Sequence, residues 1–411
     1  MTTPTPAHAR LAILALALGG FSIGATEFIA MGLLPEIARD LLPDLYATDS
    51  AAAIAKAGWL ITAYAIGVVV GAPTIAAAAA RYPRRTLLIA LTIGFTVGSV
   101  ASAVAPTFGL VVAARFVAGL GHGAFFGVAA LVAARLMGPE KRGQAVAAVL
   151  VGLTIASVVG VPTITFLGQH AGWRWAYVVV AALFALTTLA IAIFVPRSEG
   201  DPHATIRREL GAFRRPAVWF ALLTASLGFG GFFAVYSYVA PLSTEVAGTS
   251  SGFVPVVLMV LGLGTTIGIL GGGRLADRGA VRAIFLLFGA LAVSLTFLGL
   301  LAHTVAGLLI GVFLVGGSAQ ALAPAIQTRL MDVAGDSQTI AAAVNHSALN
   351  IGNSLGAALG GAVIAAGLGY VAPTWLGLAL CVPGVAFALA GWWVTRSTTA
   401  PAETRPTPRD R

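Results

Sequence analysis

The chain predicts an all-helical integral membrane protein of twelve spans, arranged as two six-helix halves. Three observations carry that fold class. Hydrophobic residues make up 58% of the 411 residues and charged residues only 9%, where a soluble domain carries about 25% charged. Apolar runs long enough to cross a bilayer recur about twelve times. Of the 24 lysines and arginines, 20 fall on one side when the connections are assigned alternately, three (Arg39, Lys56, Arg174) on the other, and Arg115 within a span. Positive charge concentrates on the cytoplasmic side, so both termini are expected in the cytoplasm and the number of spans is even.

The first run sets the scale. Residues 11–34 contain no ionisable group except Glu27. About 24 residues at a rise of 1.5 Å cross a hydrocarbon core of about 30 Å. Arg10 followed by an apolar stretch and small residues resembles a secretory signal, but the run continues past any cleavage point and is read as a span. The predicted spans are 11–35, 57–80, 86–105, 108–133, 145–167, 174–195, 217–240, 253–271, 283–302, 305–327, 339–366 and 374–394. Connections are short except the polar segment 196–216. The expected organisation is therefore a first six-span bundle over 1–195, a cytoplasmic linker over 196–216, a second bundle over 217–394 and a disordered cytoplasmic tail over 395–411. The halves echo each other. Arg81, Arg84 and Arg85 follow the second span, and Gly273, Arg274, Asp277, Arg278 and Arg282 follow the eighth. Matched loops in two halves are the mark of a repeat-built transporter.

Composition also excludes functions. The net charge of +9 lies in short loops with no basic patch interleaved with aromatics, so nucleic acid is not an expected partner. A single cysteine, Cys381, allows no disulfide within the chain, and no Cys/His spacing fits a metal. Residues 352–356 match G-x-S-x-G, but that motif works on a strand-to-helix turn and here it falls inside an apolar helix. Gly262 and Gly264 begin a nucleotide fingerprint that Ile267 breaks. No P-loop is present, so ATP is not expected to drive the protein, and no cofactor is expected.

Four ionisable side chains fall well inside spans: Glu27, Arg115, His122 and His346. An acid near the centre of a span costs roughly 2.5–3.5 kcal/mol on insertion scales and marks a functional site by default. Glu27 and Arg115 each lie about seven residues, roughly 10 Å, from the outer ends of spans one and four, so the two share a depth. Proton coupling needs a group that titrates near physiological pH, and burial and a nearby guanidinium act on a carboxyl in opposite senses. Glu27, Arg115 and His122 are therefore the proton-coupling candidates. The alternative is a fixed pair that orders the helices. Arg115, Gly119, His122, Gly123 and Phe126 share one helical face, with Phe126 on the substrate side. His346, Asn350 and Asn353 form a polar stripe on span eleven that must face protein or a water-filled cavity. Tyr236, with Phe232 and Phe233, offers aromatic stacking on span seven, or belongs to the interfacial belt. Glu27, Phe126, Tyr236, His346, Asn350 and Asn353 are the expected substrate contacts. Gly152, Gly160 and Pro162 are expected to bend or thin span five.

Several of these stretches resemble a known family. Residues 273–278, Gly-Arg-Leu-Ala-Asp-Arg, are similar to the signature loop of the major facilitator superfamily. Thr26-Glu27-Phe28 with Met31-Gly32-Leu33-Leu34-Pro35 resembles the first span of bacterial 12-span drug:proton antiporters of the arabinose-efflux-permease-like and chloramphenicol-efflux-like kind. Arg115-Phe116-Val117-Ala118-Gly119 resembles the arginine motif of span four, and Gly152, Gly160 and Pro162 the antiporter motif of span five. The likeness covers roughly residues 10–395. It implies two pseudo-symmetric bundles around a central cavity, with spans one and four beside it. It also implies gating roles for Arg81, Arg85, Gly273, Asp277 and Arg278. The first-half loop departs from the pattern: Ala80 stands in place of the family's aspartate and Pro83 in place of a glycine, whereas Asp277 is intact in the second half.

The function expected is proton-coupled efflux of small, largely apolar compounds across the bacterial inner membrane by alternating access, with no enzymatic activity. Small-molecule substrate, protons and the lipid bilayer are the expected partners, and the chain is expected to act as a monomer. The alternatives are facilitator-type transport of a sugar or other metabolite and, remotely, a membrane-embedded hydrolase. The last needs Ser354 and His346 together, and eight residues of helix hold them about 12 Å apart.

Overall fold

The structure is a computed structural model and describes residues 6–79, 82–138, 142–197, 215–334 and 338–399. Twelve helices among the described residues are long and apolar enough to cross a membrane. In chain order they are α1 (Ala7–Leu41), α2 (Ser50–Ala72), α3 (Arg84–Val104), α4 (Phe108–Met137), α5 (Ala148–Ala171), α6 (Trp173–Phe194), α7 (Pro216–Ser237), α8 (Ser251–Asp277), α9 (Ala280–Leu301), α10 (Val305–Val333), α11 (Asn345–Leu368) and α12 (Ala372–Thr395). Most of the linker 196–216 and of the tail 395–411 lies outside the described residues, as does Arg81.

The helices differ from the apolar runs mainly at their ends. The first passes Pro35 without breaking and carries Glu36, Arg39 and Asp40 in its last turns. The extension has a purpose in packing. The Asp40 carboxylate accepts a 3.0 Å bond from the Trp173 indole and pairs with Arg174, whose other Nη donates to the Ala105 carbonyl. Three helix ends of the first half are thus tied at one point. Asp40→Ala removes both bonds to its side chain. The pair is exposed and worth little by itself, so the loss is about 1 kcal/mol, mostly from the indole. Thermal unfolding of the purified protein checks it, and an unchanged midpoint contradicts it.

In α5, Gly152 and Gly160 allow close contact with α1. A methyl at Gly152 would sit 1.9 Å from the Ala17 carbonyl oxygen, and one at Gly160 would meet the Phe21 ring at 2.7 Å. Between them Ala156–Gly160 widens into a π-helical turn, immediately before Pro162. A proline has no N–H to give to the preceding turn, and a π-turn is one way a helix accommodates such a break.

Each half has its own apolar core. In the first, Phe95 and Phe184 stack with ring centres 4.6 Å apart. The second core reaches across the boundary. Phe28, Met31, Leu34, Ile54, Ile61 and Val161 of the first half pack in the same cluster as Phe232, Tyr236, Val257 and Leu258 of the second. This seam lies toward the end of the molecule opposite the arginine loops. Gly58 sits against the Tyr238 hydroxyl there, and nearer mid-depth Gly262 of α8 sits against the backbone of Ser157 in α5.

Candidate functional site

The buried polar residues of α1, α2, α4 and α11 converge at mid-depth. Glu27 is 6% exposed. Its Oε1 accepts from Asn353 Nδ2 at 3.3 Å, and its Oε2 lies 4.0 Å from His122 Nδ1. The first of these contacts joins the halves, because α1 and α11 belong to different ones. His122 Nδ1 is also 3.1 Å from the Tyr64 hydroxyl. With Nδ1 unprotonated it accepts from Tyr64. With a proton on Nδ1 it faces both the phenol oxygen and the carboxylate. The imidazole thus stands between a hydroxyl within hydrogen-bond reach and a carboxylate 4.0 Å away.

Arg115, 1% exposed, does not reach the carboxylate: no Glu27–Arg115 ion pair forms among the described residues. Its Nη1 donates to Thr26 Oγ1 at 3.0 Å. Its guanidinium carbon lies 4.3 Å from the Tyr64 ring centre and 5.6 Å from that of Tyr177. The matching depth read from the sequence holds, but the residue beside Glu27 takes the bond. Arginine stacks and hydrogen-bonds in a plane that lysine cannot reproduce. Arg115→Lys is therefore expected to cost about 2 kcal/mol, the scale of a desolvated cation–π contact. A clear fall in the unfolding midpoint in detergent checks this, and wild-type stability contradicts it.

The rest of the site is aromatic and amide. Phe126 lies 5.3 Å from His122 and stacks parallel on His346 of α11 at 5.8 Å, a second contact between the halves. Asn350 Nδ2 donates to the His346 carbonyl. The side-chain oxygens of Asn345, Asn350 and Asn353 are buried without a hydrogen-bond partner among the described residues. Buried acceptors of this kind are satisfied by water or a ligand. Tyr236 is buried against Phe28, at 5.3 Å between ring centres, and not at the membrane surface. Glu27, His122, Phe126, His346, Asn353 and Tyr236 are thus gathered about the seam. Asn350 lies one turn from Asn353 on α11.

The expected gating residues are elsewhere. Arg85 donates to the Ala192 carbonyl, tying α3 to α6. Asp277 and Arg278 are exposed at the end of α8 and make no ion pair among the described residues, and Gly273 faces open space. Sequence reasoning missed Tyr64, which touches both Arg115 and His122. Its signal was a lone phenol in the middle of an otherwise apolar run.

The model for the Major Facilitator Superfamily matches residues 16–303 and 248–411, which together take in both halves. The chain belongs to this superfamily. Within the Major Facilitator Superfamily it is 40% identical over 361 residues to the inner membrane transport protein YdhP of Escherichia coli K12, covering 87% of this chain and 90% of that one. It is 32% identical over 364 residues to a chloramphenicol resistance protein of Streptomyces lividans, covering 88% and 91%. A solved D-xylose-proton symporter superposes with a TM-score of 0.75 over 93% of this chain and 97% of that chain, at 17% identity, a likeness of fold. The superfamily is one of small-molecule transporters, not enzymes. Ser354, the only nucleophile the hydrolase reading could use, sits in the middle of α11.

Proposed function

We propose that this transporter exports small, largely apolar compounds in exchange for protons across the bacterial inner membrane by alternating access. The observation that carries the reading is Glu27: a carboxyl buried at the seam, bonded to Asn353 of the opposite half and 4.0 Å from a histidine. Protonation changes what that carboxyl can accept. Proton and substrate then bias one equilibrium between two arrangements of the halves, which is what coupling requires. In this reading Arg115 braces Thr26 and Tyr64 and holds the site's shape. Phe126, Tyr236 and His346 supply flat apolar contact. The arginine asymmetry supports a cytoplasmic position for both termini, and resistance named for the Streptomyces relative agrees with export.

A second reading has its own support. Three buried amide oxygens without partners suit the hydroxyls of a metabolite. Proteoliposomes with an imposed pH gradient, presented with chloramphenicol and with a panel of sugars, separate the two. Drug transport that follows the gradient supports export by antiport. Sugar transport with no drug response supports the second reading and overturns the first.

A further inference from the structure

Outside the seam, a shallow cleft with about 20 Å³ of internal space opens between α7, α9, α10 and α12 near the arginine-rich face. Phe220, Ile284, Phe285, Ile326 and Phe387 line it together with Arg329. Arg329 lies four residues, roughly 6 Å, from the end of α10, so the cleft runs from headgroup level into the hydrocarbon. Its Nη2 is held by the Gly391 carbonyl at 3.2 Å and the Thr395 hydroxyl at 2.7 Å. Its Nε and Nη1 make no hydrogen bond among the described residues. A guanidinium anchored by one nitrogen and open at the other two is built to receive an acceptor.

Three further observations say what covers the cleft. The surrounding surface is apolar and exposed, with Leu286 and Leu389 beside it, so the cleft is continuous with the bilayer and not with water. Trp219 and Trp393, 52% and 70% exposed, stand near the same ends of α7 and α12, where tryptophans mark the interface. The rim is positive. Arg282 follows the lining residue Val281 directly, Arg215 stands two residues before Ala217, and the N-terminal turn of α7 adds its partial charge. Asp332, exposed, is the acid nearest to Arg329 along α10.

We propose that this cleft marks the binding place of an anionic phospholipid of the leaflet on the arginine-rich face, with its phosphate on Arg329 and an acyl chain lying along the apolar outer surface over Phe220, Phe285 and Phe387. Basic pockets between membrane helices take such headgroups. A lipid seated there joins four helices of one half and is independent of the substrate site.

The test is native mass spectrometry of the full chain released from nanodiscs of equal phosphatidylglycerol and phosphatidylethanolamine. Wild type is expected to retain phosphatidylglycerol preferentially. Arg329→Gln should lower that preference about fivefold, the effect of one cation near a charged surface. Arg274→Gln, an equal charge loss on an exposed arginine of the α8 end, should leave it intact. Ala388→Phe fills the cleft without changing charge and should expel the lipid, which keeps the test alive if Arg329→Gln fails to fold. A wild type with no headgroup preference overturns the proposal. So does retention of phosphatidylglycerol by both Arg329→Gln and Ala388→Phe at the wild-type level.

Discussion

Glu27→Gln should leave a protein that folds, binds substrate and exchanges it downhill, but no longer accumulates it against a gradient when a pH difference is imposed. The amide keeps the size of the side chain and an oxygen that can accept from Asn353 Nδ2, so the contact across the seam at 3.3 Å survives. What disappears is the proton. Coupling energies between two ligands typically run to about 1–3 kcal/mol, so the response to the gradient should fall about 5- to 150-fold. Flux in proteoliposomes with and without a pH step measures it. Uphill transport by Glu27→Gln with normal dependence on the step would end the role proposed for this residue and move the search to His122 and His346. Tyr64 and Arg115 are unsuitable fallbacks, because the one is a phenol and the other is held by Thr26 and two rings.

Gly262→Trp should open the end of the molecule opposite the arginine loops. A methyl at Gly262 would already lie 2.4 Å from the Ser157 carbonyl oxygen and 3.1 Å from Val158 Cα. Both are backbone atoms, so no rotamer change relieves the overlap. Because α8 and α5 belong to different halves, the indole has room only if the halves part. Overpacking of this sort costs about 1–3 kcal/mol or more, which shifts a two-state population about 5- to 150-fold. Spin labels at Thr48 and Ser250, both exposed at that end, report the separation after Cys381 is replaced by serine. A longer distance with loss of transport is expected. An unchanged distance with full transport would show that the seam does not separate at α5 and α8.

Much of this protein is legible from its residues, for physical reasons. Lipid admits only helices and closed barrels, whose backbones are satisfied, so each apolar run of span length declares a helix, and the arginines declare the turns. The ends were harder to read. Glu36, Arg39 and Asp40 argue against a membrane helix, yet α1 runs to Leu41 because Trp173 and Arg174 receive Asp40. Those partners are more than a hundred residues away in sequence. The same limit applies at the site. Depth along a helix follows from counting, which brought Glu27 and Arg115 level. The rotation of one helix against another does not, and it is rotation that gives Arg115 to Thr26 and Glu27 to Asn353. Tyr64 was overlooked for a related reason: one phenol in an apolar run is a signal without a pattern, and its importance lies in what α4 presents to it.

The seam has an electrical consequence. A resting bacterium holds a voltage across this membrane, and each elementary charge crossing 100 mV releases about 2.3 kcal/mol. A carrier with a water thread from end to end would let ions run down that voltage without doing work. Here Phe28, Met31, Leu34, Ile54, Ile61, Val257 and Leu258 meet across the path as a plug of hydrocarbon side chains. Apolar constrictions dewet, so the plug insulates the buried polar cluster from the far compartment. The molecule that moves solutes is in this state also a piece of the dielectric that keeps the membrane charged.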